Sequence, residues 1–158
     1  MLFRSGAASE WRRDLGIANT LLWSPDGSRF YFGDSLQNCI WSYQYEASGK
    51  SIRGEEPFFR GFERGLPDGS AMDTEGYLWN CRYDGGCLVR IAPTGNIDRV
   101  IELPVSRPTN CTFGGPDGNI VYITSAAPEA GHWERFGGCL LALQTNQTGM
   151  PENKFQLP

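Results

Sequence analysis

The chain of 158 residues lacks the patterns that mark two common classes of binding partner. It has no block of Lys and Arg and no basic stripe with interleaved aromatic residues, and its formal net charge is −4, so we expect no nucleic acid partner. No apolar run approaches the ~20 residues of a membrane helix, and Met1 is not followed by the apolar core of a signal peptide. We therefore expect a cytoplasmic protein without a membrane partner.

Motifs of several catalytic and metal centres are also missing. The sequence contains one histidine, no C-x-x-C pair, no Gly-rich phosphate loop and no G-x-S-x-G elbow, which argues against Ser-His-Asp hydrolases and zinc fingers. Its five cysteines are an odd number, so they cannot all pair as disulfides within one chain. We predict that all five are small buried apolar residues.

Turn-forming residues, in contrast, are abundant. The chain has 20 glycines and 10 prolines, which stand between short apolar runs, and it shows no sustained helical period. This arrangement is typical of an all-β protein.

A threefold internal repeat organises these runs. In each copy an oxygen-bearing side chain, Asn19, Asp68 or Asn110, stands seven residues before an acidic residue followed by glycine. These acidic-Gly pairs lie 49 and then 42 residues apart, at Asp26-Gly27, Glu75-Gly76 and Asp117-Gly118. A period of about 40–50 residues with several short strands is typical of propeller blades. Asn19, Asp68 and Asn110 are then equivalent positions, one on each blade.

We predict three four-stranded blades at 16–66, 67–105 and 106–158, preceded by a partial blade, an outer hairpin, at 1–15. The last blade carries an insertion at 126–138, which contains His132. Three blades cannot close a ring, since propellers have 4–8, and an open arc exposes apolar faces. The expected fold is therefore half of a six-bladed β-propeller, completed when the chain forms a homodimer.

Several residues are expected to serve the fold alone. The acidic residues of the three acidic-Gly pairs are interpreted as turn residues, and Asp34 and Asp73 as structural. We predict that Trp23, Trp41 and Trp79 pack between blades.

Motifs along nearly the whole chain resemble the senescence-marker-protein/gluconolactonase family, also called regucalcin-like. The matching segments are 16–27 with 31–35, 65–69 with 76–79, and 107–115 with 122–125. Members of that family are longer, and the chain resembles only their C-terminal half. The resemblance implies a six-bladed propeller that holds one divalent metal in its central channel and hydrolyses sugar lactones such as gluconolactone. Calcium is the metal expected first, with magnesium and zinc as alternatives.

The resemblance also implies roles for individual residues. Asn19, in a motif where Thr20 replaces the usual glycine, and Asp68, in the intact Leu66-Pro-Asp-Gly69 motif, match metal ligands. Asp68 is in addition the candidate catalytic base. The family's glutamate ligand and its Arg and Asn substrate contacts have no counterpart. Asn110 stands where a small residue is more usual, and with His132 it is a candidate for lining the channel.

Alternatives remain open at this point. Asn and Asp also cap turns and strand ends, which would explain Asn19 and Asp68 without a metal. The first functional hypothesis is a lactonase-type carboxylic ester hydrolase, whose ring would bring two copies each of Asn19, Asp68 and Asn110 to one channel as a hard-cation site. The second is a non-catalytic metal-binding, ligand-binding or assembly module derived from a truncated lactonase. A third is that the chain is a fragment of a longer protein.

Overall fold

The computed structural model describes residues 10–46, 48, 51–129 and 132–151. These residues form strands and turns without any helix, so none of them forms a helix that could cross a membrane. The all-β prediction is confirmed. The eleven strands are β1 (Ala18–Trp23), β2 (Arg29–Asp34), β3 (Cys39–Glu46), β4 (Ser51–Arg60), β5 (Leu66–Met72), β6 (Leu78–Tyr83), β7 (Cys87–Ile91), β8 (Ile97–Glu102), β9 (Pro108–Gly114), β10 (Ile120–Ser125) and β11 (Leu140–Gln144).

The strands form three antiparallel sheets, each a simple meander in chain order. The first sheet contains β1 to β4, the second β5 to β8 and the third β9 to β11. The described residues thus give two four-stranded sheets and one three-stranded sheet, where three four-stranded blades were expected. Residues 1–9 of the predicted outer hairpin and the last residues, 152–158, lie outside the described part of the chain. The predicted limits of the blades remain predictions.

The acidic-Gly pairs lie in the turns between the first two strands of each sheet. Gly27, Gly76 and Gly118 have φ values of 68°, 84° and 64°, which glycine adopts without steric cost. Asp26 shows the turn role directly, because its carboxylate accepts hydrogen bonds from the Ser24 hydroxyl at 2.5 Å and the Ser28 backbone N–H at 3.0 Å. The repeat in the sequence therefore marks the places where the chain reverses.

Apolar side chains fill the two boundaries between the sheets. Leu22, Tyr31 and Ile40 of the first sheet pack in one cluster with Leu78 and Val89 of the second. A separate cluster joins the second sheet to the third and consists mainly of Trp79, Cys81, Leu88, Cys111, Val121 and Ile123. The burial predicted for Trp79 between blades is confirmed.

The outer face of the first sheet carries a further aromatic cluster of Phe30, Phe32, Trp41 and Tyr43. Trp11 packs edge-on against this cluster, and the Arg12 guanidinium lies 4.6 Å from the centre of the Trp41 ring. Within the described part of the chain, Trp41 and Trp23 therefore do not pack between two sheets, contrary to the prediction. Trp23 is 39 % exposed and Leu21 is 63 % exposed on this face, because no neighbouring sheet of the described residues covers them.

Four of the five cysteines are buried, but Cys139 is exposed. The prediction that all five are buried is wrong for Cys139, which precedes β11 at the margin of the third sheet. Leu141 and Leu143 follow at every second position and pack on the cluster between the second and third sheets, and Cys139 is not part of that cluster.

Candidate functional site

The first strands of the three sheets are neighbours, with β1 beside β5 and β5 beside β9. Asn19, Asp68 and Asn110 all lie in the first halves of these strands, so the structure brings the three repeat-equivalent residues to one region. A cleft of about 380 Å³ opens beside Asn19 and Asn110, and Asp68 lies outside its lining. Its walls are formed by Ala18, Asn19, Thr20, Leu21, Phe32, Gly69, Ser70 and Asn110.

Asn19 is half-buried and bridges the first two sheets through a serine. Its amide Nδ2 donates to Ser35 Oγ at 2.9 Å, and the Ser35 hydroxyl donates to the carbonyl oxygen of Pro67 at 2.6 Å. Asn19 therefore does not cap a local turn. With Nδ2 engaged, Oδ1 is the atom that can accept a donor or bind a cation.

Asp68 is half-buried and follows Pro67 directly. Burial raises the pKa of its carboxyl group, while a hydrogen bond from the Gly69 backbone N–H acts in the opposite direction. Among the described residues, no Lys, Arg or His forms an ion pair with this carboxylate. A partly desolvated carboxylate without a cationic partner favours a bound cation or a proton.

Thr20 links the backbone of Asp68 to the first sheet. It is the bulged residue of β1, since the pairing with β2 passes from Asn19↔Gly33 to Leu21↔Phe32, and its φ is 45°. Its hydroxyl donates to the carbonyl oxygen of Asp68 at 2.7 Å. The sequence signal that could have pointed to this contact is the threonine at a usual glycine position.

Two polar residues of the second sheet take part in the same contact, and the sequence analysis did not single them out. Asn80 Nδ2 donates to the Asp68 carbonyl oxygen at 3.2 Å and to Ser70 Oγ at 2.9 Å. Asn80 is fully buried in the middle of β6. A buried amide between apolar neighbours is the feature of the sequence that could have indicated it.

Asn110 lies against the loop that carries Asp68. Its Oδ1 accepts a hydrogen bond from the Cys111 backbone N–H at 2.9 Å, and a Cβ added at Gly69 would overlap the Asn110 amide. The glycine of the Leu66-Pro-Asp-Gly69 motif is therefore required by the close approach of β9. Asn110 is exposed at the cleft, as expected of a channel-lining residue, but that role remains a prediction.

His132 is exposed in the segment between β10 and β11. Its backbone N–H donates to the Glu129 carbonyl oxygen at 3.0 Å. In the same segment, Glu134 accepts a hydrogen bond at 2.6 Å from the backbone N–H of Ser106, which lies between β8 and β9. Within the described residues, no hydrogen bond or ion pair connects the His132 side chain to Asn19, Asp68 or Asn110. The structure does not bring it together with them.

The oxygen atoms of Asn19 and Asp68 fit a hard cation, but they are only part of the ligand set that such a cation needs. Asn19 Oδ1 and the Asp68 carboxylate are oxygen donors, which calcium prefers, but calcium takes about 6–8 oxygens. No group of three or more His, Cys, Asp or Glu side chains suited to a metal occurs in the described ranges. Oxygen-only donors fit calcium or magnesium better than zinc.

Comparisons with known proteins find relatives that match most of the chain. The chain is 34 % identical over 150 residues to 6-deoxy-6-sulfogluconolactonase of Pseudomonas putida, which covers 90 % of the chain and 50 % of that protein. It is 31 % identical over 163 residues to the pentonolactonase XacC of Haloferax volcanii, covering 96 % of the chain and 56 % of that protein.

A solved structure shows the same fold over most of the chain. The calcium-binding protein regucalcin of Agrobacterium tumefaciens superposes with a TM-score of 0.82 at 30 % identity, covering 91 % of the chain and 51 % of that protein. The chain thus spans about half the length of the relatives it matches. The family model of the SMP-30/gluconolactonase/LRE-like region matches residues 2–127. The chain belongs to the SMP-30/gluconolactonase/LRE-like family.

Proposed function

We propose that the chain forms half of a metal-dependent sugar-lactone hydrolase of the propeller type. The observation that carries this proposal is the half-buried Asp68 carboxylate, which has no cationic partner among the described residues and belongs to an intact family motif. Thr20, the residue after Asn19, donates a hydrogen bond to the Asp68 carbonyl oxygen. Two relatives named as lactonases support the reaction class.

Asn19 and Asp68 would hold the divalent cation, through Oδ1 and a carboxylate oxygen respectively. A bound cation supplies polarisation of the lactone carbonyl. Asp68 orients the attacking water and accepts its proton at the carboxylate, which is the role of a general base. Burial favours proton uptake by this group, because it raises the pKa of the carboxyl above its ordinary value.

Completion of the ring by a second copy would cover the exposed sheet faces and supply the missing metal ligands. The outer face of the first sheet exposes Leu21 and Trp23, and β11 exposes Leu140 on the third sheet, so both ends of the row present apolar surface. In a twofold homodimer the first sheet of one copy packs on the third sheet of the other, and two sets of Asn19, Asp68 and Asn110 face one channel. Two carboxylates and four amides there are enough oxygen donors for calcium.

The test is a lactone hydrolysis assay on the purified protein, with gluconolactone, with and without calcium. We expect calcium-dependent hydrolysis in wild type and a loss of at least about 100-fold in Asp68→Asn, which removes both base and charged ligand. Hydrolysis that Asp68→Asn leaves unchanged contradicts the assignment of Asp68.

A second candidate is a metal-binding or assembly module without catalysis. The small number of ligands contributed by the described residues favours it. Calorimetric calcium binding by a dimer that hydrolyses no lactone in a panel of sugar lactones would identify this module.

A further inference from the structure

The backbone of Asp68 is held by side chains instead of by the strand ladder. The pairing of β5 with β6 passes from Pro67↔Arg82 directly to Ser70↔Asn80, so Asp68 and Gly69 bulge out of the register. A bulge leaves backbone groups that need other partners. The carbonyl oxygen of Asp68 accepts hydrogen bonds from the side chains of Thr20 and Asn80.

These hydrogen bonds form a closed set. The single hydroxyl proton of Thr20 goes to the Asp68 carbonyl oxygen at 2.7 Å. The 2.9 Å contact between the Thr20 and Ser70 hydroxyls is therefore one in which Ser70 donates. Asn80 Nδ2 has two protons, and its shorter contacts are with the Asp68 carbonyl oxygen and Ser70 Oγ. Every donor is used within the set, and Thr20 and Asn80 are buried.

The position of the Asp68 carbonyl also determines how its carboxylate is held. The carbonyl of Asp68 and the N–H of Gly69 belong to one planar peptide group. That N–H lies near the Asp68 carboxyl group and acts to lower its pKa. If the carbonyl loses Thr20 and Asn80 as partners, the peptide plane can rotate, and the Asp68 backbone that carries the carboxylate moves with it.

The unusual backbone conformation of Thr20 indicates that its contact with Asp68 serves a function. Its φ of 45° lies in the left-handed region, which a β-branched residue rarely adopts. Such a conformation persists where surrounding contacts over-determine it. Gly33 across the strand makes room for the side chain, since a Cβ there would lie 3.1 Å from Thr20 Cβ.

We infer that Thr20, together with Asn80, is a positioning residue that sets the orientation of the Asp68 carboxylate from the neighbouring sheet. This inference rests on the proposed role of Asp68 as a metal ligand and base. Thr20 acts through the Asp68 peptide and does not itself touch the cation or the lactone.

Calcium titration by calorimetry tests the inference with three variants of Thr20. Thr20→Val keeps the shape and removes the hydroxyl, and we expect calcium affinity to fall about tenfold, as for other groups that orient a ligand. Thr20→Gly restores the usual family residue and is expected to lose affinity as well. Thr20→Ser keeps the hydroxyl and should bind calcium like the wild type. Equal affinity of Thr20→Val and wild type, or equal losses in Thr20→Ser and Thr20→Val, would overturn the inference.

Amide hydrogen exchange at Gly69 separates this inference from the proposed function, because it needs no metal. We expect the Gly69 amide to exchange faster in Thr20→Val than in wild type and Thr20→Ser. The Gly85 amide, which donates to the Arg82 carbonyl oxygen at 2.8 Å in a separate turn, should be unchanged. A wild type that binds no calcium refutes the metal site alone, and in that case equal Gly69 exchange rates in wild type and Thr20→Val refute the positioning role.

Discussion

Replacing Asp73 with alanine is expected to destabilise the second sheet more than any change at the candidate site. Asp73 is fully buried at the end of β5. Its Oδ1 accepts from the backbone N–H groups of Glu75 at 3.1 Å and Tyr77 at 2.9 Å. Its Oδ2 accepts from Trp79 Nε1 at 2.9 Å and from Arg90 Nε and Nη2 at 3.0 and 2.7 Å. The Asp73 side chain thus holds a turn, the core residue Trp79 and the buried Arg90 guanidinium.

The magnitude follows from what the alanine leaves behind. Removing one partner of a buried ion pair typically costs about 3–5 kcal/mol, because the other charge stays buried. Arg90 keeps two acidic neighbours, Glu75 at 2.6 Å and Asp98 at 3.0 Å, so its share of the loss is reduced. The buried Trp79 N–H loses its acceptor, which costs about 1–3 kcal/mol. The expected total is about 3–5 kcal/mol.

Urea unfolding followed by tryptophan fluorescence measures this loss, at one protein concentration so that any association is held constant. A decrease of about 4 kcal/mol corresponds to a melting temperature lower by roughly 10 °C for a chain of this size. Glu75→Gln is the matched control, because it removes an exposed partner of the same arginine and should cost less than about 1 kcal/mol. An Asp73→Ala variant no less stable than Glu75→Gln would refute the reasoning.

Three further predictions concern the site and the ends of the row of sheets. Burial raises the pKa of Asp68 in the folded state above its value in the unfolded chain. At pH values above the folded-state pKa, the ionised carboxylate therefore destabilises the folded state, and at pH values below the unfolded-state pKa this destabilisation is absent. Without calcium, Asp68→Asn should therefore be more stable than wild type at pH 7 and lose this advantage as the pH falls to 3, as measured by urea unfolding. Gly69→Ala should lower stability by about 1–3 kcal/mol through overlap with Asn110, and Asn110→Ala in the same chain should recover part of the loss. Light scattering should give a mass of about twice 17.6 kDa for wild type and for the control Ile97→Glu on the outer strand β8. Leu21→Glu, on the exposed face of the first sheet, should give 17.6 kDa. A monomeric wild type contradicts ring closure.

The repeat made the three sheets predictable because its turns have a local cause. An acidic residue followed by glycine supplies both a side-chain acceptor and a residue that tolerates positive φ. Asp26-Gly27 shows both in the structure. The same regular spacing placed Asn19, Asp68 and Asn110 at corresponding points of β1, β5 and β9, and the structure indeed brings these strands side by side.

The contacts around Asp68 could not be predicted in the same way, because they depend on bulges. Alternation along a strand assigns each residue to a face only while the register is unbroken. Thr20 stands at the bulge of β1, and the bulge at Asp68 frees the carbonyl that the Thr20 hydroxyl meets. Both depend on pairing with a partner strand, which the sequence of β1 or β5 alone does not specify.

Exposure at the ends of the row was mispredicted for a related reason. A blade strand is apolar on both faces because it normally packs between two neighbours. Trp23 therefore has the composition of a buried position, yet it is exposed in the structure. Whether such a residue is covered depends on the next sheet.

Asp68 is the third residue of β5 and Asp73 directly follows its last residue, and their surroundings assign them opposite roles. Asp73 accepts five hydrogen bonds and balances a buried arginine, so its charge is already compensated within the protein. Asp68 is half-buried, and burial raises the pKa of its carboxyl group more than the neighbouring Gly69 backbone N–H lowers it. A partly buried carboxylate without a cationic partner lowers the stability of the folded state. A bound cation would neutralise this charge and remove the cost. Neutralising substitutions should therefore act with opposite signs at neutral pH, destabilising at Asp73 and stabilising at Asp68. That reversal would identify Asp68 as the carboxylate retained for binding.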